Sequence, residues 1–176
     1  YTAVMELMHH GLAADGADLA ICDVNLEAAQ KTAADIQATG RKTLALKANV
    51  ASSADVTAMI DQVAEKFGKI DILVNNAGME RAGALRNLTE ADWDITLNVN
   101  LKGAFLCSQA AHNCMIGQNR GRIINIASRA WLGGAGQAPY SSAKAGVVGL
   151  TRVLALELGR KGVTANCVAP GLIHTP

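Results

Sequence analysis

Tyr140-Ser141-Ser142-Ala143-Lys144 places a phenol and an ammonium four residues apart, at the start of an Ala-rich apolar stretch. That stretch predicts a helix. Residues i and i+4 share one helical face, so the two polar heads can meet over a single site. A phenol in water titrates at about 10, and a neighbouring positive charge favours the phenolate. The pair can therefore serve as a proton donor and acceptor near neutral pH. Spacing alone is weak evidence: with 8 Lys and 2 Tyr in 176 residues, about one chain in ten holds such a pair by chance.

The elements that would position the pair are legible in the apolar runs. Candidate strands are Leu19 to Cys22, Thr43 to Leu46, Ile70 to Val74, Arg122 to Ala127 and Val163 to Val168. Helical patterns lie between them: Asn25 to about Thr39, Ser53 to Phe67 with Gly68 as the stop, about Ala91 to Ile116, and about Tyr140 to Arg160. The strands are continuous apolar runs without alternation, as expected when both faces are covered. The β–α alternation predicts an α/β fold with a doubly wound parallel sheet, Rossmann-like in kind. Ligands in such sheets bind beyond the carboxyl ends of the strands. The polar groups there are Asp23, Asn49, Asn75 with Asn76, Ser128, and the segment Pro170 to Thr175.

Composition narrows the class. Hydrophobic residues make up 50% and charged residues 18%, which excludes a disordered chain. A net charge of +1 without a basic run argues against nucleic acid. Apolar runs are too short to span a bilayer, and no signal peptide is seen. The four cysteines (22, 107, 114 and 167) form no Cys-x-x-Cys pair. They read as reduced structural thiols in a cytoplasmic protein, with Cys22 and Cys167 buried. His9-His10 reads as solvent-facing, because adjacent helical positions diverge and no third metal ligand is evident.

The ordered motifs resemble the short-chain dehydrogenase/reductase family, its 3-oxoacyl-reductase-like members in particular. Asn75-Asn76-Ala77-Gly78 follows the third strand, and Asn98-Val99-Asn100 opens the long helix. Ile126-Ala127-Ser128 ends the fourth strand. Tyr140 and Lys144 follow, then Pro170-Gly171-Leu172-Ile173-His174-Thr175. The resemblance implies a nicotinamide-dependent oxidoreductase acting on a secondary alcohol or ketone. It implies a proton relay of Asn100, Ser128, Tyr140 and Lys144, in which Ser128 holds the substrate oxygen and Asn100 anchors a water leading from Lys144. Contacts to the cofactor would come from Asp23, Asn49, Val50, Asn76, Ala77, Gly78, Tyr140, Lys144, Pro170, Gly171, Ile173 and Thr175. A carboxylate at Asp23 can accept both adenosine-ribose hydroxyls and repel a 2′-phosphate, which favours NAD, with NADP possible. Alternatively, Asp23 caps the next helix. Gly133-Gly134-Ala135-Gly136 lacks the third glycine of a phosphate loop, with Pro139 in its place. In the family this segment is a flexible wall of the substrate site, to which Trp131 and Leu132 would add apolar surface. The implied partners are a small alcohol or carbonyl substrate and further copies of the chain, as a homodimer or homotetramer.

The sequence departs from the family pattern at both ends. The family begins with a strand and a Thr-Gly-x-x-x-Gly-x-Gly turn that holds the pyrophosphate at a helix N-terminus. Here Leu12 to Ala17 matches the end of the helix after that turn, and Ala3 and Met5 fall on its last two glycines. The family's lid and last strand would lie beyond Pro176. The expectation over residues 1–176 is thus a single, incomplete Rossmann-like domain with unpaired strand edges in mid-sheet and weak cofactor binding. Two readings follow: a piece of a longer oxidoreductase, or a pseudoenzyme or oligomerisation module that has lost dinucleotide binding.

Overall fold

A computed structural model describes residues 2–171, with side chains described from Met8 onward. The expected contacts Ile173 and Thr175 lie outside the described residues, as do the side chains of Ala3 and Met5. Helices and strands alternate: α1 (Thr2–Ala14), β1 (Leu19–Asp23), α2 (Leu26–Gln37), β2 (Thr43–Lys47), α3 (Ser53–Phe67) and β3 (Ile72–Asn75). Then come α4 (Glu90–Leu97), α5 (Gly103–Gly117), β4 (Gly121–Ile126), α6 (Ala138–Leu158) and β5 (Val163–Val168).

Local chemistry sets the boundaries. Asn25 caps α2 by accepting from the N–H groups of Glu27 and Ala28, and Ser52 caps α3 through Asp55 N–H. Thr89 and Asp92 form a capping box at the start of α4. Gly68 ends α3 at φ 74°, a left-handed conformation that glycine adopts without a Cβ clash.

All strand pairings are parallel, and they fall into two sheets: β1 with β2, and β3-β4-β5. No described strand bridges β1 and β3, so the unpaired edges expected from the motif order are present. One buried cluster crosses this gap. It joins Leu46 of β2 and Ala48 just after it, Val56, Met59 and Ile60 of α3, Ala111 and Met115 of α5, and Ile123 and Val163 of the larger sheet. A second cluster packs Ala29, Ala33 and Ile36 of α2 against Leu19 and Ile21. The result is an α/β fold with helices on both faces of parallel strands, as the apolar runs predict.

Two sequence expectations change. His9 is half-buried, and burial, then the neighbouring His10, holds its pKa below the ordinary value. Of the two, only His10 is exposed, because α1 turns the preceding position toward the protein. Among the cysteines, Cys107 is the buried one, and Cys22 and Cys167, both expected to be buried, are intermediate; Cys107 points from α5 into the main core. All four are free thiols, and burial raises Cys22 to about 12 and Cys107 to about 11.

Candidate active site

The expected helical stretch from Ala91 to Ile116 is not uniform. Between α4 and α5, Asn98–Lys102 forms a π-helical turn with Asn100 inside it. Asn98 to Asn100 therefore does not open the helix, but interrupts it. Such π turns insert one extra residue into a helix and recur at functional sites. Tight packing supports the turn: a Cβ added at Gly146 of α6 would lie 2.6 Å from Leu101 Cδ2. The bare backbone at Gly146 lets α6 approach the π turn and brings Lys144 to the neighbourhood of Asn100.

Asn100 is 2% exposed. Its Nδ2 donates to Met79 O at 2.7 Å and to Thr96 O at 2.9 Å. Its Oδ1 is buried and has no partner among the described residues. A buried amide oxygen left bare costs desolvation energy, so its retention needs a reason. Gly78 stands over the same atom: a Cβ there would lie 2.8 Å from Asn100 Oδ1 and 3.5 Å from Lys144 Nζ. Asn76, Ala77 and Gly78 thus leave β3 and lead the chain across the two polar heads.

Tyr140 and Lys144 occupy successive turns of α6, and Pro139 lies in its first turn. Tyr140 is 5% exposed and Lys144 3%. Lys144 Nζ lies 5.5 Å from the centroid of the Tyr140 ring and donates to Ile126 O, the last residue of β4, at 2.7 Å. Burial lowers the Lys144 pKa to about 8, with Cys167 acting weakly in the opposite direction. Among the described residues no carboxylate pairs with this ammonium. A nearly buried, unpaired cation is rare in a purely structural setting.

Ser128 follows β4 in an extended conformation, and its Oγ accepts from Ala130 N–H at 3.2 Å, capping a short 3₁₀ turn, Arg129–Leu132. It closes a turn and also faces a cavity of about 170 Å³, lined by Ser128, Arg129, Ala130, Gly133, Gly134, Gln137, Pro170 and Gly171. Two bonds tie this wall to the segment after β3: Gly83 N–H to Gly136 O at 2.8 Å, and Gln137 Nε2 to Glu80 Oε1 at 2.7 Å. The sequence reading placed Trp131 and Leu132 on an apolar wall. They are 39% and 70% exposed, and neither lines the cavity. Arg129, which does line it, was missed, although a charged residue directly after a strand-end serine is visible in the sequence.

The adenosine-side candidates sit at strand ends as expected, each inside a local turn. Asp23 Oδ1 accepts from Asn25 N–H at 2.8 Å, and Asn25, not Asp23, caps α2. Asn49 Oδ1 accepts from Ala51 N–H, while Asn49 N–H donates to Asp55 Oδ2 at 3.0 Å. Hydrogen bonds from Asn49 and Ser52 hold the Asp55 carboxyl below the usual range. Val50 packs against Gly103 at the start of α5.

Beneath the site is a buried polar network that the sequence did not reveal. Asn75 Nδ2 donates to Asn125 Oδ1 at 2.8 Å and to Ser108 Oγ at 3.0 Å, and Asn125 Nδ2 donates to Thr151 Oγ1 at 2.9 Å. It links β3, β4, α5 and α6; Gly78, Ser128 and Asn100 lie in the segments adjoining the first three, and Lys144 lies on the last.

Residues 6–176 match the family model described as short chain dehydrogenase. The chain is 62% identical over 164 residues to the (2S)-[(R)-hydroxy(phenyl)methyl]succinyl-CoA dehydrogenase subunit BbsD of Thauera aromatica, covering 93% of this chain and 66% of that protein. It is 47% identical over 149 residues to a 3-oxoacyl-[acyl-carrier-protein] reductase of Synechocystis sp., covering 84% of this chain and 60% of that one. The chain thus spans somewhat under two thirds of these relatives. A crystal structure of NAD+-bound xylitol dehydrogenase superposes with a TM-score of 0.90 at 33% identity, over 94% of this chain and 64% of that one. No described helix is long and apolar enough to cross a membrane, and no cluster of metal-ligating side chains occurs among the described residues.

Proposed function

The chain belongs to the short-chain dehydrogenase family, and from that premise we propose that it forms the catalytic part of a nicotinamide-dependent oxidoreductase acting on a secondary alcohol or ketone. One observation carries this reading: the Lys144 ammonium, 3% exposed and without a carboxylate, sits beside the Tyr140 ring. Both similar relatives are named for acyl thioesters, one on CoA and one on acyl carrier protein. The proposed substrate is accordingly a 3-hydroxyacyl or 3-oxoacyl thioester.

In this reading Tyr140 gives its proton to the carbonyl oxygen during reduction, or takes it from the hydroxyl during oxidation. Ser128 Oγ already accepts from Ala130 N–H, so its own O–H remains to donate to the substrate oxygen where charge develops. The bond from Lys144 to Ile126 O fixes one ammonium proton, leaving the others for the ribose and for the field that stabilises the phenolate. The bare Asn100 Oδ1 takes a hydrogen bond from the water that passes protons onward.

The fit to a nicotinamide cofactor rests on Gly78, where a side chain would occupy the space over Asn100 and Lys144. Asn76, Ala77, Gly78, Pro170 and Gly171 would border the nicotinamide half. Asn49, Val50 and Asp23 would border the adenosine half, and Asp23 favours NAD over NADP. The cofactor, when bound, gives or takes the hydride. Residues 1–176 form one domain in this account. Exposed apolar side chains on α5 and α6, Phe105 at 44%, Val153 at 49% and Leu156 at 82%, support self-association through these helices.

The test is formation of reduced cofactor by the full-length protein supplied with a 3-hydroxyacyl-CoA and either NAD or NADP. Turnover with NAD preferred supports the reading. A stable oligomer that shows no turnover with either cofactor would instead favour a non-catalytic, oligomer-forming role.

A further inference from the structure

Ser128 and Arg129 are adjacent, and both line the cavity of about 170 Å³. Arg129 is the only charged residue among the eight that do so. Its backbone N–H donates to Pro170 O at 2.8 Å, which pins it between the strand-end serine and the Pro170-Gly171 rim. The side chain is exposed, and no carboxylate pairs with it among the described residues. Glu80, the acid tied to this wall, is engaged by Gln137 Nε2. The cavity wall therefore carries Arg129, without an ion-pair partner among the described residues, beside the serine that would hold the reacting oxygen.

An unpaired cation in a concave site raises the local concentration of anions. Guanidinium matches a carboxylate with two parallel hydrogen bonds, a geometry that a lysine ammonium lacks. Ser128 and Arg129 line one cavity, and an arginine reaches no further than its own side chain, so an anion it holds while the reacting oxygen is at Ser128 belongs to the acyl group. A remote phosphate on an acyl carrier does not meet that condition. We propose that Arg129 selects substrates bearing a free carboxylate on the acyl chain close to the alcohol or ketone. This rests on the thioester oxidoreductase reading and names its substrate class more narrowly.

The test compares kcat/KM for 3-hydroxyglutaryl-CoA with that for its terminal carboxamide, in the full-length protein and in Arg129→Gln and Arg129→Lys. Both substrates carry the same CoA phosphates, so the ratio isolates the carboxylate. A charged hydrogen-bonded contact predicts a preference of about ten- to a hundredfold for the carboxylate. Arg129→Gln should bring the ratio to about 1 through loss on the carboxylate substrate, and Arg129→Lys should restore part of it. Turnover of both substrates without a preference overturns the inference and leaves the underlying reading intact. An equal loss on both substrates in Arg129→Gln overturns it too, pointing to carrier phosphates. If neither thioester is turned over, the thioester reading fails and the inference with it.

Discussion

Lys144 Nζ lies 5.5 Å from the centroid of the Tyr140 ring, and both residues are at least nine-tenths buried. The Ile126 carbonyl oxygen accepts a hydrogen bond from the ammonium. Helical spacing explains why the two side chains share a face. It does not explain why, among the described residues, no carboxylate pairs with the cation; the proposed proton chemistry beside a cofactor would.

The cost of that arrangement is measurable through pH. Burial lowers the Lys144 pKa from 10.5 to about 8. The unfolded chain then holds the extra proton between these values, so stability should rise with pH across that window. Below about 8 both states are protonated and the full cost persists. Lys144→Met should therefore stabilise the cofactor-free protein at pH 7 by about 1–3 kcal/mol and flatten the rise. Urea unfolding of both proteins from pH 7 to 10 checks this. A less stable Lys144→Met protein at pH 7 would show that the ammonium stabilises the fold.

Gly78→Ala should damage the site more than the fold. Its Cβ would lie 2.8 Å from Asn100 Oδ1, and the Asn100 amide is fixed by two carbonyls. Overpacking of this kind costs about 1–3 kcal/mol, and misplacing the relay should lower kcat/KM by about a hundredfold. Steady-state kinetics with a melting curve separates the two effects. Wild-type kinetics in Gly78→Ala would remove Gly78 from the cofactor-facing turn.

Asn125→Ala tests the polar network beneath the site. It strips one acceptor from Asn75 Nδ2 and one donor from Thr151 Oγ1, both inside the protein. Asn75 Nδ2 keeps its bond to Ser108 Oγ and Thr151 Oγ1 its bond to Val147 O, so each lost hydrogen bond costs about 0.5–1.5 kcal/mol. Denaturant unfolding should show a loss in that range. A loss smaller than a few tenths of a kcal/mol would mean the network is incidental.

Much of this was legible in the sequence because the governing signals are local. Continuous apolar runs gave the strands, and Gly68 marked the end of α3. Asp23, Asn49, Asn76 and Ser128 appear at the strand ends where they were expected. The π turn around Asn100 was not legible, because its register depends on α6 packing through Gly146 against Leu101. Nor was the network: Asn125 lies inside an apolar strand, and its partners come from α6 and β3, far away in sequence. Arg129 is visible after the strand-end serine, but nothing local marks it as a site residue. The cavity that gives it meaning forms only when Pro170 and Gly171 close the rim.

The central claim is that Tyr140 moves the proton. The most direct test compares reduced-cofactor formation by the full-length protein and Tyr140→Phe, with NADH affinity measured on both. The account predicts a fall in kcat of about 10²–10⁴-fold while NADH still binds. Turnover within about threefold of wild type, well short of a general acid–base contribution, would contradict it.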